Sequence, residues 1–252
     1  CIRDRHHTSR INTYECKFVR QNYDFVFGSR QDPKTVDYGT IRYKSPDKGL
    51  MRVDKVYKLN PQATDPKQKY TKEDVKYGEY WVCDGDSIYQ FDEKTKVLTE
   101  TKLPEEMRGQ AIADGPLPFL FGAKADTMKT RYWIREVTPE NNPQGEYFLE
   151  ATPKRRQDAA NFDKLIVQLK AEKNQLFPTA MKAYNKQGYV QYQFQGHAPN
   201  NPVHRVQGFL NSFVRPKTPN GWTKVVEDWR GQRADQRQAA QPDPQGQPAD
   251  RR

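Results

Sequence analysis

The feature that most constrains this chain is a polar–apolar alternation of period two that recurs along most of its length. Successive side chains of a strand point to opposite faces, so such a pattern specifies half-buried strands and conflicts with the 3.6-residue period of a helix. Over residues 12–20, Tyr14, Cys16 and Phe18 fall on one side and Thr13, Glu15 and Lys17 on the other. Residues 23–27 read as a continuation past a bulge. Residues 36–44 repeat the pattern with Ile41 and Tyr43, and residues 50–59 with Met51 and Val53. Residues 60–76 break it: rich in Pro, Lys, Gln, Thr and Asp, they are expected to form a long exposed loop. Asp84-Gly85 then separates two aromatic-rich runs, Tyr80-Trp81-Val82-Cys83 and Ser87-Ile88-Tyr89-Gln90-Phe91-Asp92, the strongest short-range hairpin signal. A further strand is expected over residues 97–102.

The alternation is interrupted near the middle. Leu117-Pro118-Phe119-Leu120-Phe121-Gly122-Ala123 carries no charge and is too short to cross a bilayer. Pro118 suits the first helical position and Gly122 a helix end. This short apolar helix is either a connection that fills a core or a lid over a cavity. Asp126 is expected to cap a last turn through Lys129. The strand pattern then resumes at residues 132–137, 146–152, 164–170, 179–184 and 189–195, with residues 209–214 and 223–226 closing the set. Ten or eleven antiparallel strands around one helical insert make an all-β barrel or strongly curved sheet. Residues 1–11 read as a truncated helix, 12–228 as the folded domain, and 229–252, dominated by Gly, Gln, Arg, Ala, Pro and Asp, as a disordered tail.

Composition narrows the function. The 252 residues carry a formal charge of +10 and 29% charged side chains, yet 12% are aromatic, which argues for a folded core. The basic excess is spread along the chain, whereas a nucleic-acid binder concentrates Lys and Arg on one element. Weak attraction to anionic membranes is expected, and no nucleic-acid partner. No signal peptide or spanning run is visible, and Cys1 fits either a lipid-anchored mature terminus or a truncation point. Cys16 and Cys83 fit a disulfide or two buried thiols. No G-x-S-x-G, H-E-x-x-H, phosphate-binding glycine loop or C-x-x-C is present, so neither an enzyme, nor a metal, nor a cofactor is expected. Asp84-Gly85-Asp86-Ser87 begins like a calcium loop but lacks the remaining ligand spacing. His197 and His204 read as ordinary loop histidines.

What does stand out is the weight of large apolar side chains on strand faces: Trp81, Tyr89, Phe91, Trp133, Phe148, Tyr192 and Phe194. They form a core, or they line the space that a barrel of this strand number leaves unfilled. Together with Tyr14, Phe18, Tyr43, Met51, Val53 and Cys83 they are the expected lining of a lipid-binding cavity. Leu117, Phe119, Leu120 and Phe121 are its expected lid.

Three motifs carry a family resemblance. Residues 81–92 resemble the DG-x-x-[LI]-[WY]-x-[YF]-[DN] hairpin of LolA-like proteins, periplasmic carriers that ferry lipoproteins between bacterial membranes. Leu117-Pro118-Phe119-Leu120-Phe121 resembles the family's central PF-x-L helix, with Phe121 where Leu is usual. Phe213-Val214-Arg215-Pro216 resembles the start of its F-x-x-P-x-G close, with Gly221 arriving later, after Pro219. The resemblance covers residues 12–226 and is greatest to a secreted bacterial branch. It implies a half-open antiparallel β-barrel of about eleven strands, a helical lid, acyl chains of a lipid or lipoprotein as ligand, a periplasmic or envelope location, and a monomer. The family's carriers place an arginine immediately before the proline that follows the second strand; Ser45 stands there in this chain, with Arg42 and Lys44 nearby. Because fold does not fix function, the alternative is an envelope sensor or scaffold that binds a protein partner and transports nothing.

Overall fold

The computed structural model describes residues 11–74, 79–105, 108, 125–159, 162–172 and 175–228. The expected lid (Leu117, Phe119, Leu120 and Phe121), residues 1–10 and the expected tail at 229–252 lie outside the described residues. The strands are β1 (Thr13–Asp24), β2 (Thr35–Lys44), β3 (Lys48–Leu59), β4 (Tyr70–Glu73), β5 (Tyr80–Cys83), β6 (Ser87–Asp92) and β7 (Val97–Lys102). After helix α1 (Ala125–Arg131) come β8 (Tyr132–Glu136), β9 (Glu146–Pro153), a single turn α2 (Arg156–Ala159), β10 (Lys164–Glu172), β11 (Gln175–Asn185) and β12 (Gly188–Pro199). The turn α3 (Gln207–Leu210) and β13 (Thr223–Asp228) complete the set. Among the described residues no helix is long and apolar enough to cross a membrane.

Among the described residues all thirteen strands belong to one sheet, ordered β13-β7-β6-β5-β3-β2-β1-β12-β11-β10-β9-β8, with β4 added on β3. Neighbours are antiparallel except β13, which runs parallel to β7. Among the described strands the sheet does not close, as expected for an incomplete barrel. Its centre is β1, which pairs with β2 through Tyr14↔Tyr43 and with β12 through Phe18↔Phe194. Gly39 of β2 makes that centre possible. A Cβ there would lie 2.4 Å from Phe18 Cζ and 2.3 Å from the Arg52 carbonyl oxygen, so only glycine admits the Phe18 ring against the strand.

The structure corrects the sequence reading in four places. Residues 209–213, where a strand over 209–214 was expected, are helical: Phe209 and Phe213, four apart, share one helical face and are both buried. Residues 25–27 form a turn and do not extend β1, because the Asp24 carboxylate accepts hydrogen bonds from the Val26 and Phe27 N–H groups, both 2.9 Å. The loop at 60–76 contains a 3-10 turn, Pro66–Gln68, capped by Asp65, and the short strand β4. Finally, β4 is an additional strand, β13 falls where a strand was expected but pairs in parallel, and the described residues hold thirteen strands where ten or eleven were expected.

Candidate functional site: a sealed apolar sheet face

Strands β5 and β6 contribute side chains alternately to two buried faces. On one, Tyr14, Phe18, Tyr43, Met51, Val53, Trp81, Cys83, Tyr192 and Phe194 form a single cluster. Cys16, Ile41 and Ile88 extend it, as do Leu165, Val167, Phe177 and Met181 from the far half of the sheet. This face is sealed as well as apolar: Ile41, Met51 and Cys83 are 0% exposed. Tyr89 and Phe91 lie elsewhere, in a second cluster with Leu50, Val82, Leu98, Phe209 and Phe213. Trp133 is exposed, with the Lys154 ammonium 4.1 Å from its ring centroid, and Phe148 is half-buried. The structure thus brings together nine of the thirteen residues expected to line a cavity.

Polar groups mark two ends of the Trp81 face. At one, the Tyr14 hydroxyl and His197 Nδ1 are 2.6 Å apart, and the imidazole stacks on Phe177. Burial lowers the His197 pKa and, together with neighbouring Cys16, raises that of Tyr14, so both groups are neutral near pH 7. At the other, Arg20 Nε donates to Asp37 Oδ2 at 2.7 Å and its guanidinium pairs with Glu79. Asn22 Nδ2 donates to the same Asp37 oxygen at 3.0 Å. Burial works against the Arg20 charge, but Tyr192, Glu79 and Asp37 more than compensate and hold it protonated. This ion-pair group escapes sequence inspection because Arg20 and Asp37 meet only through the β1–β2 register.

Cys16 and Cys83 are free and buried, which resolves the choice between a disulfide and two thiols. Burial pushes each thiol up to about 12, so neither supplies a thiolate near neutral pH. Cys83 Sγ donates to the Asp47 carbonyl at 3.2 Å. Beside it, Asp84 Oδ1 accepts from the Asp86 and Ser87 N–H groups, while Gly85 adopts φ +101° and packs against the Asp47 carboxylate. The Asp-Gly signal thus marks a hairpin turn. Among the described residues, no group of three His, Cys, Asp or Glu side chains is placed to hold a metal ion.

The second face is covered by the segment from α3 to β13, and polar contacts pin it. Arg42 Nη1 donates to Ser212 Oγ at 2.5 Å, and its guanidinium lies 5.5 Å from the centre of the Phe209 ring. Buried Glu100 accepts from Arg215 at 3.0 Å, from Ser87 Oγ at 3.3 Å, and pairs with Lys224. Burial alone would raise the Glu100 pKa; Lys224 and Arg215 reverse that and hold it below the usual glutamate range. A groove of about 560 Å³ runs over β1, β2, β3 and β12, with walls that mix Phe18, Val19, Tyr38 and Tyr57 with Lys17, Asp54, Lys55 and Gln195.

No protein-family model matches the chain, and no curated protein matches it in sequence. Solved structures give matches at low sequence identity. An uncharacterized conserved protein from Thermus thermophilus is 8% identical at a TM-score of 0.44, with 90% of this chain and 96% of that one covered. A LolA superfamily protein from Nitrosomonas europaea is 9% identical at a TM-score of 0.40, with 85% of this chain and 96% of that one covered.

Proposed function

We propose that the Trp81 face binds acyl chains of a lipid or lipoprotein, and that the protein carries this cargo through the bacterial cell envelope. The observation that carries the reading is the assembly of Tyr14, Phe18, Tyr43, Met51, Val53, Trp81, Cys83, Tyr192 and Phe194 into one cluster on a sheet that does not close. The hairpin, central and C-terminal motifs of residues 81–92, 117–121 and 213–216 support it from the sequence side. Because the face is sealed, cargo enters by displacing side chains that now cover it. Each methylene transferred from water contributes about 0.8 kcal/mol, so half a fatty-acyl chain offsets the displacement of a few apolar side chains. Leu117, Phe119, Leu120 and Phe121 are the proposed lid that gives way.

Native mass spectrometry of gently purified protein tests the reading together with titration by a fluorescent fatty acid. Retained lipid, or saturable probe binding that Met51→Asp abolishes while Tyr89 variants keep it, is the expected result. Absence of both, alongside a stable protein partner, replaces the carrier with the envelope sensor or scaffold.

A further inference from the structure

The turn after β1 carries the most exposed apolar side chains of one end of the sheet: Phe25 is 38% exposed, Val26 58% and Phe27 83%. It is firmly built. Asp24 ties down the Val26 and Phe27 amides, and the Phe25 N–H donates to the Gln187 carbonyl at 2.7 Å, joining this turn to the β11–β12 turn. Tyr23 stacks on Tyr189 at 4.3 Å between ring centroids, and Phe25 meets Tyr189 edge-on at 5.7 Å. Val26 and Phe27 therefore project from an aromatic platform.

Cations ring that platform. Arg30 lies 5.0 Å from the Phe25 ring centre, Lys182 3.7 Å from that of Tyr189, and Lys164 4.9 Å from that of Tyr184, while Lys186 occupies the adjoining turn. The acidic neighbours Asp24 and Asp32 are matched by Lys34 at 3.0 Å and Lys69 at 2.7 Å, and Lys164 also stands 3.9 Å from Glu150. Among the described residues Arg30, Lys182 and Lys186 have no carboxylate partner. An apolar tip, an aromatic belt behind it and unpaired cations around it match, layer by layer, the hydrocarbon, interface and headgroups of an anionic bilayer.

We infer that the tip formed by Phe25, Val26 and Phe27 docks on anionic lipid bilayers, with Val26 and Phe27 inserted and Arg30, Lys182 and Lys186 on the headgroups. The basic charge of the chain is thereby used at one place rather than diffusely. The inference goes beyond acyl-chain carriage, because the tip lies outside the Trp81 cluster and acts whether or not cargo is held.

The test is flotation of the full chain with vesicles of phosphatidylglycerol and phosphatidylcholine, against phosphatidylcholine alone. Wild type is expected to float with the anionic vesicles only. The double variant Val26→Ser with Phe27→Ser should lower partitioning about tenfold or more, from the lost apolar burial. Arg30→Glu and Lys186→Glu should each lower it about fivefold or more. Because the tip side chains are exposed, the serine variant should keep its melting temperature within a degree or two. Phe27→Trp should gain fluorescence that brominated lipid quenches beyond the wild-type background. Fatty-acid probe binding by all these variants should match wild type. Wild type that fails to float, serine and charge variants that float equally well, or an unquenched Phe27→Trp would each overturn the inference. So would loss of self-association, rather than of flotation, in the serine variant, since that result assigns the tip to a second copy of this chain.

Discussion

The two faces of β5 and β6 are built from the same ten residues of strand and held by different physics. The Trp81 face is joined mainly by apolar contact, its polar pairs confined to its margins at Tyr14–His197 and Arg20–Asp37. The Tyr89 face is fastened to its cover by directional bonds, from Arg42 to Ser212 and from Arg215 and Lys224 to Glu100. Apolar burial is non-directional, so one hydrocarbon surface can replace another at little cost. A buried carboxylate with two cationic partners cannot lose them cheaply. Under the proposed function, the Trp81 face exchanges its apolar contacts for cargo while the Tyr89 face keeps its cover.

The largest effects should come from the two faces' own cores. Trp81→Ala and Phe213→Ala are each expected to cost about 3–5 kcal/mol in urea unfolding, since both side chains are buried and leave cavities. Their consequences should differ: Trp81→Ala changes fatty-acid probe affinity and Phe213→Ala does not. Equal effects on the probe would erase the distinction between the faces.

Glu100→Gln comes next. It leaves Arg215 and Lys224 without a charged acceptor and should cost about 1–3 kcal/mol. Hydrogen exchange should rise across residues 202–228 and stay unchanged in β1 and β12. Uniform loosening would mean that the cover and the sheet open together.

Acid should repeat that result in wild type. The folded pKa of Glu100 lies below its unfolded value, so its contribution is fully present above the ordinary glutamate range and is lost as pH falls through the folded value. Tryptophan fluorescence from Trp222 should report release of the cover before the far half of the sheet unfolds. The smallest effect is chemical. With Cys16 and Cys83 pushed up to about 12 by burial, iodoacetamide at pH 8 should leave both thiols unmodified until the protein unfolds. Rapid labelling of native protein would show that the Trp81 face opens spontaneously.

How much of this was legible in the sequence follows from what alternation encodes. It separates two sides of a strand, so β1, β2, β3 and β9 through β12 stand out wherever one side is polar. It does not say which side faces which cover when both are apolar. Trp81 and Tyr89 look equivalent in sequence, and only the pairing Val82↔Tyr89 puts Tyr89 on the side opposite Trp81. Tyr-Thr-Lys-Glu of β4 has no apolar period to read, and the parallel partner of β13 lies more than a hundred residues upstream in β7. Phe209 and Phe213 fit a strand as well as a helix over so short a run. The tip at Val26 and Phe27 was read as more strand for the same reason. Its exposure depends on an Asp24 turn that alternation does not register.

The position of β1 has a consequence for how the chain is made. Among the described residues the first strand is also the middle of the sheet, and its second neighbour, β12, begins at Gly188. As synthesis proceeds, β1 can join β2 and β3 at once through hairpins. Its other edge, from Tyr14 to Asp24, must wait until residue 199 has emerged. For that interval a long strand bearing Tyr14, Cys16 and Phe18 presents unpaired backbone to whatever else is near, the circumstance in which strands pair with the wrong chain. Delivery of β12, rather than assembly of any local hairpin, therefore limits when β1 becomes safe from its neighbours.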